Sequence, residues 1–268
     1  YIGTTSQGLP VFPNDDDLFA EVEKFDKMGL GISAHATGDA ANRQLIDAIY
    51  RVKMKYGKVN ARHQLAHASL IHPDDYKRLK DLGITAEFSP VVWFQTPYTK
   101  AVASLLGPER MSRWYPMKSV IENGGRIALA SDGPLMWQDT FTRLQGAITR
   151  KDPSKDEEPL ALNEAITLAE AIKAMTINSA YLLNQDDLVG SIEEGKFADI
   201  IILDKNLFKI SVTEISSVKV LKTLLAGKVV FDNATDPITE INIENKYDIS
   251  LNLSGSEGHP GCEHNLTK

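Results

Sequence analysis

Residues 61–75 read ARHQLAHASLIHPDD, and residues 76–83 continue YKRLKDLG. The first eight suit a short strand, and the Pro-Asp-Asp that follows is a helix start whose helix Gly83 would close. Side chains on a strand alternate, so His63, Leu65 and His67 would share one face. At roughly 3.3 Å per residue the two histidines then lie about 13 Å apart and cannot bind the same ion.

The same strand-then-helix unit recurs on both sides. Upstream, NDDDLFAEVEKFDKMG at 14–29 opens on acids and places Leu18, Val22, Phe25 and Met28 at helical spacing. LGISAHA at 30–36 is a strand, and the helix after it carries Leu45, Ile46, Ile49 and Val52 as one stripe before Gly57 stops it. Downstream come the strand ITAEFS at 84–89, a long aromatic connection at 91–115, the helix PMKSVIENGG at 116–125 and the strand RIALAS at 126–131. Strands starting near 31, 61, 84 and 126 with helices between them predict right-handed βα units and a parallel sheet of barrel type. Long connections at the carboxyl ends of such strands build pockets.

Two further helical stretches are predicted at 139–151 and 162–183, separated by the charged loop DPSKDEEP. From residue 188 the texture changes to short segments rich in Val and Ile, bounded by Gly, Asp and Asn. The expected organisation is a partial (β/α) barrel over 1–187, part of a small β-sandwich over 188–233 and a polar tail over 234–268, in which INIEN and ISLNL are candidate edge strands.

Composition bounds the rest. The chain has 268 residues, 43% hydrophobic and 24% charged, enough for a sizeable core. Its net charge of −7 comes from acids spread along the chain, so no basic stripe is available for nucleic acid. No apolar run could span a bilayer, so no membrane partner is expected. A single cysteine, Cys262, excludes an internal disulfide framework and leaves localisation open.

Three residues stand where strands end: His35, His67 and Asp132. Sites of parallel barrels form at the carboxyl ends of strands, which puts His67 at the mouth and His63 near the floor as a satisfied core histidine. Asp132 follows the apolar strand directly, and Gly133 and Pro134 turn the chain after it. Asp39, at the start of a helix, reads equally as a cap or as a catalytic acid. Two imidazoles and a carboxylate suit zinc, with iron and manganese as alternatives. Such an ion lowers the pKa of bound water, and a nearby carboxylate can take the proton as hydroxide attacks a carbonyl. The chemistry this predicts is metal-assisted hydrolysis.

HATGDAAN, RHQLAHASLIHPDD, GGRIALASDGP, AMTINSAYLL and GSIEEGKFADIIILDKNLF, in that order, resemble the amidohydrolase superfamily, most closely its YtcJ-like branch, amidohydrolase family 3. The resemblance runs from about Leu18 to Asp232. It implies the C-terminal part of a TIM-like (β/α)8 barrel with C-terminal strands of a small β-sandwich. His35, His67 and Asp132 then correspond to the metal ligands of strands five, six and eight, with Asp132 also handling the proton. It implies one or two divalent ions, most simply zinc, and a small-molecule amide or cyclic amide substrate. The family's usual glutamate before the strand-six histidine is Ala66 here. Its His-x-His and bridging lysine precede the matched region, and the six histidines, at 35, 63, 67, 72, 259 and 264, include no pair two apart. A partial ligand set is therefore expected, inactive alone and completed by another copy or by an N-terminal half. The competing expectation is a non-catalytic or regulatory protein on a degraded amidohydrolase fold.

Lesser candidates are Trp93, Phe94, Gln95 and Tyr98, read either as pocket lining or as packing. Arg62 and Arg126 start strands and belong at the floor, while His72 belongs on the surface. The tail tract HPGCEH, with His259, Cys262 and His264, is read as a mobile tail rather than a site.

Overall fold

The computed structural model describes residues 3, 5, 8, 11–89, 92–133 and 139–235. The tail tract with His259, Cys262 and His264, the two expected edge strands and Pro134 lie outside these residues.

Asn14 accepts the Asp16 N–H, and Asp15, Asp16 and Asp17 face the positive end of helix α1, Asp15–Lys27. Leu18 and Val22 bury as the spacing predicts, but Met28 is exposed and Asp26 is fully buried. The helix ends before Met28, so that residue leaves the apolar stripe, and Asp26 is drawn inward by donors described below. Strand β1, Ser33–His35, leads into α2, Asp39–Tyr56, whose stripe of Leu45, Ile46, Ile49 and Val52 is buried. Burying each such side chain contributes roughly 1.5–3 kcal/mol. Gly57 closes α2 in the left-handed conformation at φ 75°.

Strand β2, Gln64–Ala66, is followed by a 3-10 turn over Pro73–Asp75, helix α3, Tyr76–Leu82, and strand β3, Thr85–Phe88. The long connection after β3 is mostly helix. Thr96 caps α4, Pro97–Met111, through a reciprocal pair with Thr99, and Gly107 bends the helix where its φ and ψ leave the helical region. Helix α5, Met117–Glu122, precedes strand β4, Arg126–Leu129.

β1 to β4 form one parallel sheet in sequence order, in register Ser33 with Gln64, Leu65 with Ala86 and Thr85 with Arg126. Four of the strands expected for a barrel are thus present as an open sheet. At its amino end Gly31 lies so near Arg62 that a Cβ there would sit 2.3 Å from the Arg62 carbonyl oxygen, which only glycine permits.

Helix α6, Thr140–Thr149, is capped by Asp139. The single helix expected over 162–183 is instead a 3-10 turn at Leu162–Glu164, then α7, Leu168–Met175, and α8, Ile177–Leu182. The break has a local cause. Thr167 and Glu170 form a capping box that starts α7 afresh, and Thr176 leaves helical geometry at φ −121°, ψ −97°.

The β-rich stretch forms a second sheet of three antiparallel strands, β5 Ile200–Leu203, β6 Val220–Leu225 and β7 Lys228–Asp232. β6 and β7 are joined through Ala226 and Gly227, both at positive φ, as a tight hairpin turn requires. No helix among the described residues is long and apolar enough to cross a membrane.

Candidate metal centre

The two histidines of the 61–75 stretch separate completely. His63 is buried at the amino end of the sheet, where the Ile32 N–H donates to its Nδ1 at 3.2 Å. Nδ1 must therefore be the bare nitrogen, and Nε2–H donates to Asp26 Oδ1 at 3.1 Å. Asp26 also accepts the Asn60 N–H at 2.8 Å, Asn60 Nδ2 at 3.0 Å and the Ala61 N–H at 3.0 Å. Burial holds the His63 pKa below its ordinary value, against the opposing pull of Asp26. Beside this pair, Arg62 and Arg126 stack on the Tyr181 ring at 3.7 and 3.3 Å, and Arg62 also reaches Asp186. The floor is polar and largely hydrogen-bonded, although Thr85 Oγ1 at the start of β3 is buried without a partner.

His67 stands at the other end. Strand β2 stops at Ala66, and His67 and Ala68 both turn into the left-handed region at φ 70° and 44°. His67 therefore leaves the pleat on which its face was predicted. Its Nδ1 lies 2.9 Å from the Ser89 carbonyl oxygen and 3.0 Å from Ser89 Oγ. A carbonyl can only accept, so Nδ1 carries the hydrogen and Nε2 presents its lone pair, the tautomer a metal ligand needs. The Ser89 carbonyl is held in turn by the hydroxyl of Tyr115 at 2.8 Å.

The His35 ring faces that of His67, with centroids 4.4 Å apart and planes inclined by 58°. His67 is buried, Asp132 half-buried and His35 exposed on the edge strand β1. Asp132 sits just beyond β4 at φ 53°, also left-handed. Among the described residues no three His, Cys, Asp or Glu side chains are grouped closely enough to hold an ion. The structure thus sets the two predicted imidazoles side by side, with Asp132 following β4 at the same end of the sheet. The chemistry of the donors, two imidazoles with one fixed in the ligand tautomer, fits a divalent cation.

Two nearby residues carry no sequence motif. Asn42 is fully buried and its Nδ2 reaches the carbonyls of Ala36 at 2.7 Å, Gly38 at 2.9 Å and Leu70 at 2.8 Å, tying the turn after His35 to the turn after His67. Glu87 lies in the middle of β3, and its Oε2 accepts the His67 backbone N–H at 3.1 Å while its Oε1 is buried without a hydrogen-bond partner. Burial raises the Glu87 pKa, against the opposing pull of the His67 N–H and the Ser89 side chain, and Asp132 adds a smaller push upward. An acid inside the apolar strand TAEF was the available signal, because a charge is rarely buried there without a purpose.

The lesser candidates resolve simply. Trp93 and Phe94 are fully buried and pack in the core, whereas Tyr98 is exposed. His72 accepts the Asp74 N–H at the head of the 3-10 turn. Asp39 accepts the N–H of Ala40 at the first turn of α2.

A parallel sheet flanked by helices, with two imidazoles side by side at its carboxyl end, defines an α/β protein of barrel type, and comparison gives the family. The amidohydrolase family profile matches residues 2–231, and the chain belongs to that family. YtcJ of Bacillus subtilis, which carries an amidohydrolase name, is 28% identical over 224 residues, covering 82% of this chain and 41% of YtcJ. The N-substituted formamide deformylase of Arthrobacter pascens is 27% identical over 201 residues, covering 75% of this chain and 36% of that enzyme. Among solved structures, an uncharacterized metal-dependent hydrolase from Pyrococcus furiosus superposes with a TM-score of 0.61 at 25% identity, over 76% of this chain and 40% of that one. The chain therefore spans about two fifths of the length of these relatives.

Proposed function

We propose that His35, His67 and Asp132 are this chain's share of a divalent-metal centre, zinc in the simplest case, in a hydrolase that cleaves an amide or cyclic amide C–N bond. The observation that carries the proposal is the His67 tautomer: Nδ1–H is committed to Ser89, and Nε2 is left to bind beside the His35 ring. The metal-dependent hydrolase superposition supports the cation, and the relative named for deformylating N-substituted formamides supports an amide substrate. When bound, the cation supplies an activated water and polarises the scissile carbonyl.

The chain's own residues have separate tasks. His35 and His67 offer nitrogen donors, and Asp132, at the same end of the sheet, accepts the proton from the attacking water and passes it to the leaving nitrogen. The proposal also divides the chain into barrel-type residues 1–187 and a β-sandwich part at 188–233. It has the open edge at β1 covered by a second copy or by further polypeptide.

One observation favours a second reading, a non-catalytic or regulatory protein on the same fold: among the described residues no three His, Cys, Asp or Glu side chains form a group that could hold an ion. The two readings part on a zinc titration of the full chain with and without His67→Ala, followed by assay on formamides and cyclic amides. Tight zinc binding lost in the variant supports the metal centre. Zinc affinity identical in both proteins sinks it.

A further inference from the structure

The row of residues level with His35 across the parallel sheet has a telling composition. His35 pairs with Ala66, and Glu87 pairs with Ala128. One residue earlier Leu65 is in register with Ala86, which sets Ala66 beside Glu87. On one face of the sheet the row therefore runs His35, Ala66, Glu87, Ala128. A carboxylate stands between two methyl groups, which leave it lateral room. It leans toward the end of β2, where its Oε2 accepts the N–H of His67 at 3.1 Å.

That N–H belongs to a backbone that needs holding. His67 and Ala68 are consecutive non-glycine residues at positive φ, a conformation costing about 1–2 kcal/mol per residue. Such a turn persists only where the surroundings over-determine it. Three groups do so here. Ser89 fixes the imidazole through Nδ1, Asn42 fixes the chain three residues on through the Leu70 carbonyl, and Glu87 fixes the His67 amide itself. Glu87 acts nearest the residue whose direction matters, because its side-chain oxygen accepts the His67 amide hydrogen itself.

We infer that Glu87 is a positioning residue: reaching across from β3 into the space left by Ala66, its carboxylate locks the left-handed turn at His67 and so holds that imidazole beside the ring of His35. The inference deepens the proposed metal centre and rests on it for its functional meaning. Its structural content, a locked His67, can be read independently.

The test uses the full chain with [15N]histidine labelling, which yields signals from only six residues. It compares wild type with Glu87→Gln, Glu87→Ala and Glu87→Met. Glutamine keeps an oxygen acceptor of the same reach, alanine removes it, and methionine removes it while filling the space. Amide hydrogen exchange at His67 should accelerate at least tenfold in E87A and E87M, and its ring nitrogens should lose the single Nδ1–H tautomer. E87Q should stay within about threefold of wild type. Zinc affinity, measured with zinc alone by competition against a chelator, should fall 10- to 100-fold in E87A and E87M, the range typical of groups that orient a ligand, and be largely retained in E87Q. Should E87A fail to fold, the contrast between E87M and E87Q decides. His67 exchange unchanged in E87M, or E87Q as impaired as E87M, overturns the positioning role. If wild type binds no zinc while His67 exchange still follows the predicted order, the metal centre fails and the positioning role stands.

Discussion

His63 and His67 lie four residues apart, and although both are buried they differ in tautomer, backbone conformation and surroundings. His63 keeps its hydrogen on Nε2, is held by a buried carboxylate with four donors, and sits among stacked arginines. His67 keeps its hydrogen on Nδ1, stands on a left-handed turn, and adjoins a carboxylate oxygen with no partner. One end of the sheet is built for stability and the other holds strain and unspent donor capacity. The contrast teaches that the location of a histidine along a parallel strand is less informative than which of its nitrogens the protein has already used.

That contrast can be broken from either side. The largest effect is expected at the mouth: His67→Ala should lower zinc affinity about a thousandfold, close to 4 kcal/mol, with little change in melting temperature. A competition titration beside a thermal melt checks both halves. At the floor the signs reverse. Asp26→Ala strands the N–H groups of Asn60 and Ala61 and the Nε2–H of His63, so urea denaturation should show about 3 kcal/mol lost, with zinc binding by the folded fraction unchanged.

Tyr181→Leu should cost less, about 1–2 kcal/mol, because two stacked guanidinium groups each contribute roughly 0.5–1 kcal/mol at a partly exposed site. A loss of zinc affinity in that variant would show that floor and mouth are coupled. The smallest effect is in pH. The folded-state pKa of His63 is depressed below 6.5, so the folded protein resists protonating it. Stability from this source is complete above the unfolded value and declines as pH falls below about 6.5, by at most about 1.4 kcal/mol per unit. His63→Gln should flatten the denaturation profile between pH 7.5 and 5.5; a variant profile as steep as wild type would place the titration elsewhere.

Much of the scaffold was legible in the chain. Asn14 with its three acids, the α2 stripe ended by Gly57, and the existence and order of the strands follow from periodicity and punctuation, which are local properties, whereas the strands themselves are shorter than the apolar runs that announce them. Local signals failed where a second local signal competed. The apolar pattern over 162–183 concealed the Thr167 and Glu170 capping box, and the α1 stripe concealed the acid Asp26 that buries instead of Met28.

The sequence by itself determined that four strands and their helices alternate, that His35, His67 and Asp132 follow strand ends, and that His63 belongs at the opposite end from His67. These depend on order and spacing along the chain. Only the tertiary structure decided which nitrogen of His63 and of His67 carries the hydrogen, that the rings of His35 and His67 adjoin, and that Glu87 grips the His67 backbone. Those outcomes depend on the register between strands twenty or more residues apart and on which carbonyls and carboxylates that register places within hydrogen-bonding distance, and no repeat along the chain encodes them.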